Sequence, residues 1–80
     1  MIEVKVRYFA SLRDAAGTEQ ETVQTDAGDL AGLYRQLQSR HGFSWPQAHL
    51  RVAVADDFAH WDDPLREGSE VAFIPPVSGG

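Results

Sequence analysis

Residues 30–37 read LAGLYRQL and carry the clearest periodic pattern in the chain. Leu30, Leu33, Tyr34 and Leu37 recur at the i, i+3, i+4 and i+7 spacing, which places them on one face of an α-helix. An apolar stripe on one helix needs a second layer of structure to pack against. The flanking segments therefore decide the fold, because they must supply that layer.

The residues on either side of the stripe carry helix start and stop signals. Residues 26–29 read DAGD, which places acidic side chains at the expected N-terminus of the helix. Gly42 supplies the left-handed position that often follows a helix, and Phe43 is expected to fold back onto the last turn. His41 would continue the stripe, and we expect it to cap the last carbonyls rather than to bind a ligand.

Alternating and apolar runs around the helix predict the strands of a sheet. Residues 2–8 alternate as in a half-buried strand, with one face formed by Ile2, Val4, Val6 and Tyr8. Residues 20–25 are predicted to return antiparallel to this first strand. Three later strands are predicted at 50–55, 58–61 and 70–74.

A short second helix is predicted between the first two strands. Ser11 and Asp14 stand three residues apart and could cap it reciprocally, and Gly17 would end it after about two turns. One main helix on one sheet gives a two-layer α+β domain. We expect residues 1–74 to form this domain and residues 75–80 to project from it as a tail.

Size and composition exclude several classes of protein. The chain has 80 residues, no cysteine and a net charge of −5. A single domain is expected, and disulfides, zinc–thiolate sites and cysteine nucleophiles are excluded. The basic residues are scattered singly, which argues against nucleic-acid binding. The acidic surface fits a partner with a basic surface, or it serves only solubility.

The N-terminal residues and the cysteine usage bear on location. The alternating start of the chain is not the basic-then-apolar pattern of a signal peptide, and no apolar run approaches the length of a membrane span. A fold without disulfides suits a reducing compartment. We therefore expect a cytoplasmic protein.

The polar side chains show no catalytic or metal-binding pattern. The acidic pairs at 56–57 and 62–63 lie in turn signals, where Asp is common because its side chain bonds the local backbone. His41, His49 and His60 lack metal-ligand spacing. No serine stands in a nucleophile-elbow context, and no glycine-rich phosphate loop is complete. The terminal carboxylate is left as the one chemically unusual group.

The last eight residues, 73–80, read FIPPVSGG. Pro75 and Pro76 cannot donate ladder hydrogen bonds, so the last strand must end before them. Two prolines also favour a stiff polyproline geometry that would project the tail. Gly79 and Gly80 lack side chains and could enter a narrow channel. The alternative is a frayed terminus without a function.

Several of these stretches together resemble a known family. Residues 7–10 (RYFA), the short helix ending at Gly17, residues 65–71 (LREGSEV) and the terminal octet resemble the small subunit of molybdopterin synthase. These are the ubiquitin-like sulfur carriers of the MoaD family. The likeness covers the whole chain and is most specific in the octet, where relatives often carry threonine at the position of Ser78.

The resemblance implies a fold, a reaction and partners. The fold would be a β-grasp, a mixed sheet of four to five strands with its first and last strands parallel at the centre, packed on one main helix plus a short one. An E1-like, MoeB-like adenylyltransferase would use ATP to activate the C-terminus. The large, MoaE-like subunit would carry the catalytic side chains in a heterotetramer, and this chain would bind no cofactor of its own.

The resemblance also assigns roles to residues. Gly80 would be adenylated, become a thiocarboxylate and donate sulfur to cyclic pyranopterin monophosphate. The segment inserted into the large subunit would be Val77, Ser78 and Gly79. The partner interface would include Phe9, Ile74, Pro75 and Pro76. Phe73 is better explained as core.

Three other functions stay open from the sequence. A thiamin-pathway sulfur carrier would share the glycine tail and the activation chemistry. A ubiquitin-like protein modifier would also share them, although Lys5 is the only lysine on which chains could be built. A β-grasp binding module with an inert tail is the third.

Overall fold

The computed structural model of the protein describes residues 1–76. Within them the chain forms β1 (Ile2–Tyr8), α1 (Ala10–Ala16), β2 (Gln20–Thr25), α2 (Leu30–His41), β3 (Arg51–Val54), β4 (Asp57–Ala59) and β5 (Glu70–Ile74). A 3₁₀ turn at Gln47–His49 precedes β3. No helix among these elements is long and apolar enough to cross a membrane.

The five strands form one mixed sheet in the order β2-β1-β5-β3-β4. β1 and β5 are parallel at its centre, and the other neighbouring pairs are antiparallel. This is the β-grasp arrangement expected from the resemblance. The last strand is therefore held between two others, and the chain leaves the sheet from its middle.

Helix α2 supplies the second layer as predicted. Its stripe residues Leu30, Leu33, Tyr34 and Leu37 are all fully buried. Asp29 caps the N-terminus by accepting a hydrogen bond from the backbone N–H of Gly32 at 2.8 Å, which satisfies one of the open helix donors.

The C-terminus of α2 also ends as the sequence indicates. Gly42 adopts φ 72 at the C-cap, a left-handed conformation in which a side chain would be strained. Phe43 folds back, is buried, and lies nearly parallel to Tyr34 with ring centroids 6.1 Å apart. Both ends of α2 are thus capped, and Phe43 covers the last turns.

The inner face of the sheet forms the core. It presents alternate residues to α2, namely Val4, Val6, Tyr8, Val23, Val52, Val71 and Phe73. Phe73 is fully buried, and its ring stacks on Trp61 at 5.9 Å. The interpretation of Phe73 as core is confirmed, and the alternation sends its neighbour Ile74 to the outer face.

The predicted reciprocal cap of the short helix was wrong. Helix α1 begins at Ala10, and its N-cap residue Phe9 makes no side-chain cap. Ser11 instead accepts a hydrogen bond from the indole N–H of Trp45 at 2.8 Å. This long-range bond uses the hydroxyl to tie the loop after α2 to α1. Gly17 ends the helix in the left-handed conformation, as predicted.

The third and fourth strands are shorter than predicted. β3 ends at Val54, and a two-residue turn with φ 51 at Ala55 and φ 71 at Asp56 leads directly into β4. Both turn residues therefore adopt the left-handed conformation used in tight hairpins. Trp61 lies beyond β4, where its carbonyl accepts a hydrogen bond from the N–H of Ala31 at 2.9 Å.

His41 does not cap the helix carbonyls, contrary to expectation. Its Nε2 lies 2.6 Å from a carboxylate oxygen of Glu21 on β2, and the Tyr8 hydroxyl donates to the same oxygen at 2.5 Å. Arg40 lies 3.5 Å from the other carboxylate oxygen. We call Tyr8, Glu21, Arg40 and His41 the Glu21 cluster. It joins α2 to the first two strands.

Candidate functional site

The tail leaves the domain from the middle of the sheet. β5 pairs with β1 on one side and β3 on the other up to Ile74, and the two prolines then end the ladder because they lack an N–H. Pro75 is buried and Pro76 is exposed. The predicted insertion segment Val77, Ser78 and Gly79 and the predicted reactive Gly80 lie outside the described residues.

Apolar side chains surround the point where the tail begins. We call Phe9, Trp45, Phe58, Ile74, Pro75 and Pro76 the tail-base patch. Phe9 is 41% exposed and Phe58 is 72% exposed, which is unusual for aromatic side chains in a domain this small. Ile74 lies at the centre of the patch. A contiguous apolar surface that includes exposed aromatic side chains is typical of protein–protein contact sites.

Two depressions flank the start of the tail and share Ile74, Pro75 and Pro76. One, of about 560 Å³, is lined in addition by Phe9, Ala10, Ser11 and Trp45. The other, of about 650 Å³, is lined in addition by Ala48, His49, Leu50, Arg51 and Phe58. The tail base therefore stands on a ridge between two mostly apolar hollows that could receive side chains of a partner.

The alternation of the strands explains why these residues face outward. Tyr8 points into the core, so Phe9 emerges at the end of β1. Val52 and Phe73 are paired and point inward, so their successors Ala53 and Ile74 point outward. Across the hairpin Ala53 pairs with Phe58, which brings Phe58 to the outer face.

The structure brings the four predicted interface residues together. Phe9, Ile74, Pro75 and Pro76 line one depression. Their part in binding a partner stays a prediction. The sequence reasoning missed Trp45 and Phe58. The outward position of Phe58 could have been found by extending the strand alternation through a two-residue turn, whereas Trp45 is positioned by its long-range bond to Ser11.

The outer face near the tail also carries two arginines. The Arg7 guanidinium lies 5.8 Å from the ring centroid of Phe9, and the Arg51 guanidinium lies 5.8 Å from that of Phe58. Both distances fall within the range of cation–π interactions. The tail-base patch is therefore apolar at its centre and positively charged on two sides.

The perturbed titratable groups lie elsewhere, chiefly in the Glu21 cluster. Partial burial alone would raise the pKa of Glu21, but hydrogen bonds from Tyr8 and His41, together with the charges of His41 and Arg40, hold that pKa below its ordinary value. Burial, followed by the bond to Glu21, raises the pKa of the Tyr8 hydroxyl. These shifts follow from structural contacts and do not create a general acid or base in a cleft.

The histidines and carboxylates of the described chain are not grouped as metal ligands. Within residues 1–76, no three His, Asp or Glu side chains come together in a way that could hold a metal ion. His41 is committed to Glu21, while His49 and His60 lie on the exposed surface.

A sequence model described as the ThiS family matches residues 6–80. The chain belongs to the ThiS family. Among relatives of this ThiS-family chain, the molybdopterin synthase sulfur carrier subunit of Escherichia coli K12 is 37% identical over 81 residues. The match covers 96% of this chain and 99% of that protein. The resemblance inferred from the terminal octet is confirmed.

Solved structures agree with this assignment. A Helicobacter pylori structure described as a complex of subunits 1 and 2 of molybdopterin-converting factor gives a TM-score of 0.68 at 28% identity, covering 99% of this ThiS-family chain and all of that chain. The small archaeal modifier protein SAMP1 of Haloferax volcanii gives a TM-score of 0.81 at 25% identity, covering 98% and 99%. The β-grasp fold is confirmed.

Proposed function

We propose that this chain is the sulfur-carrier subunit of a molybdopterin synthase. The observation that carries the proposal is the exit of the central strand β5 through the tail-base patch into a tail that ends in Gly79-Gly80. The full-length similarity to molybdopterin synthase sulfur carrier subunits supports the choice of pathway.

The proposed chemistry takes place at the Gly80 carboxylate. A carboxylate is a poor acyl donor, so an E1-like adenylyltransferase attaches AMP from ATP to it and releases pyrophosphate. A sulfur nucleophile then displaces AMP and leaves a thiocarboxylate. In the synthase that sulfur passes to cyclic pyranopterin monophosphate, and two such transfers build the dithiolene. The large subunit supplies the catalytic side chains in a heterotetramer, and we place these steps in the cytoplasm.

In this proposal the domain positions the tail for entry into the large subunit and supplies no catalytic side chain. Pro75 is buried, which anchors the base of the tail, and Pro76 continues it with restricted backbone freedom. A tail that is partly ordered before docking loses less entropy when it enters a partner. The tail-base patch would dock on the large subunit while Val77, Ser78 and Gly79 enter its active site.

A second candidate function is covalent attachment to other proteins. The similarity to the archaeal modifier SAMP1 favours it, and it begins with the same activation of Gly80. The two functions separate at the final acceptor, which is a pterin in one and a lysine amine in the other.

Deletion of Gly80 tests the proposal. We expect the truncated chain to fold as stably as the full chain but to support no molybdopterin formation with the large subunit, the activating enzyme, ATP and a sulfur source. The matched control is Ser78→Thr, which keeps the glycines and should retain activity. Molybdopterin formation by the truncated chain would disprove the sulfur-carrier function.

A further inference from the structure

We propose that Arg7 and Arg51 select the partner that docks on the tail-base patch by pairing with carboxylates on the large subunit of the synthase. This inference rests on the proposed function, and it adds a chemical requirement for the partner. The occupant of the patch is a protein surface that carries acidic side chains on both sides of the channel that receives the tail.

The sheet register places the two arginines on either side of the strand that leads to the tail. Arg7 on β1 pairs with Ala72, and Arg51 on β3 pairs with Ile74. Both side chains belong to the outer face, since the residues that alternate with them point into the core. A partner that covers Ile74 and receives the tail must therefore also approach both guanidinium groups.

Each guanidinium is positioned before a partner arrives. Arg7 lies over Phe9 and Arg51 lies over Phe58, each at 5.8 Å. An arginine held against a ring keeps the N–H donors at its edge available, and those donors match a carboxylate in a planar, two-bond geometry. Because the side chains are already restricted, pairing costs less conformational entropy than it would for a free arginine.

Neither arginine has an anionic partner within residues 1–76. The cations of the ion pairs formed there are the N-terminus, Arg13, Arg40 and His41. Asp56 and Glu70 line a small depression on the outer face with Arg7, but neither lies within ion-pair distance of it. A partner that desolvates the guanidinium groups without offering acceptors would lose much of the gain from apolar burial.

Because the chain has a net charge of −5, the direction in which an Arg→Glu substitution changes the binding affinity distinguishes two explanations. If attraction between this acidic chain and a basic partner dominated, replacing an arginine by glutamate would strengthen binding. If the local contacts dominate, the same replacement weakens binding because it sets like charges against each other. The two explanations therefore predict opposite changes in affinity.

The chain offers matched controls for this test. Arg35 on α2 and Arg66 before β5 are also exposed and make no ion pair within residues 1–76. Neither lines the depressions around the tail base. Arg35→Glu and Arg66→Glu change the net charge by the same amount as Arg7→Glu and Arg51→Glu, so the comparison isolates position from total charge.

The experiment measures the affinity of the full chain for its own large subunit by titration calorimetry at low and high salt. We expect Arg7→Glu and Arg51→Glu each to weaken binding about tenfold or more at low salt, and the double variant to weaken it further. Arg35→Glu and Arg66→Glu should change it less than about twofold. Thermal unfolding checks that each variant is folded. Arg7→Met and Arg51→Met keep packing against the rings and should show the loss of charge alone.

The outcomes separate this inference from the proposed function. If the unaltered chain binds the large subunit and the patch variants bind as well as or better than the control variants, the arginine pairing is wrong while the sulfur-carrier function stands. If the unaltered chain does not bind the large subunit, both are wrong. A selective loss of binding in the patch variants supports the pairing.

Discussion

Tyr8 and Phe9 are neighbours in the sequence and lie in opposite environments. The Tyr8 ring is buried against His41 and Phe43, and its hydroxyl donates to Glu21. The Phe9 ring is 41% exposed and is contacted on one face by Arg7. Strand alternation alone separates the two side chains, because one points into the core and the other emerges on the outer face.

The two regions differ in how completely the chain satisfies its own polar and apolar groups. Around Tyr8, the Glu21 cluster pairs its donors and acceptors internally, and no buried side-chain nitrogen or oxygen in residues 1–76 lacks a partner. Around Phe9, the tail-base patch leaves aromatic surface and two guanidinium groups exposed. A region whose polar groups are paired within the chain stabilises the fold. A region that leaves aromatic surface and charged groups exposed indicates a contact site for a partner.

The largest expected effect contrasts Phe73 with Ile74, which are adjacent but face opposite sides of the sheet. Phe73→Ala should destabilise the domain by about 3–5 kcal/mol, because it empties a fully buried site against Tyr34 and Trp61. Ile74→Ala should cost less, since its side chain is only partly buried and lies on the outer face of the sheet. Urea unfolding measures both. Equal losses of stability would show that Ile74 belongs to the core.

The second prediction concerns binding rather than folding. Phe9→Asp and Ile74→Asp should each weaken binding to the large subunit by about 2 kcal/mol or more, because they place a charge in the centre of an apolar contact. Their effect on unfolding should be smaller than their effect on binding. Calorimetric titration and thermal melts of the same samples provide the comparison. Global unfolding of both variants would contradict the assignment of these residues to an interface.

The third prediction tests the Glu21 cluster through pH. Because the folded-state pKa of Glu21 lies below its ordinary value of 4.5, its contribution is present above that value and is lost as pH falls through the folded pKa. Glu21→Gln should cost roughly 1–2 kcal/mol at neutral pH and should make the acid unfolding curve less steep. Thr22→Gln on the exposed side of β2 is the control. An acid unfolding profile of Glu21→Gln that matches the unaltered chain would show that the Glu21 cluster does not contribute to the pH dependence of stability.

The smallest expected effect is a gain of stability at the hairpin behind Phe58. Ala55 and Asp56 both adopt positive φ without being glycine. Asp56→Gly should stabilise the domain by about 0.5–1 kcal/mol, since glycine adopts this conformation without a steric penalty. Binding to the large subunit should be unchanged, because the turn keeps the Ala53–Phe58 register. A large change in affinity would mean that the turn itself contacts the partner.

Features defined by local periodicity could be predicted from the sequence. The α2 stripe, the alternation of β1 and the left-handed positions of Gly17 and Gly42 depend on residues close together in the chain, and all were found in the structure. The resemblance carried by the terminal octet supplied the parallel pairing of β1 and β5. The central placement of that pair could not be obtained from periodicity alone.

Features that depend on contacts between distant residues were missed or misread. His41 was expected at the helix carbonyls, yet Glu21 on a neighbouring strand provides a charged acceptor within hydrogen-bonding distance. Ser11 was expected to cap its own helix, yet it bonds Trp45, 34 residues away. The sequence predicts the fourth strand at 58–61, displaced towards Trp61 from the observed Asp57–Ala59, because no glycine marks the tight turn before it.

The central claim is that Gly80 carries sulfur, and the most direct test is the intact mass of the chain. The full chain is incubated with its activating enzyme, ATP and a sulfur source, and Gly80 deletion serves as the control. We predict a mass increase equal to the replacement of one oxygen by sulfur, located in the C-terminal peptide and absent from the truncated chain. An unchanged mass, or covalent adducts joined to lysine with no sulfur gained, would contradict the claim.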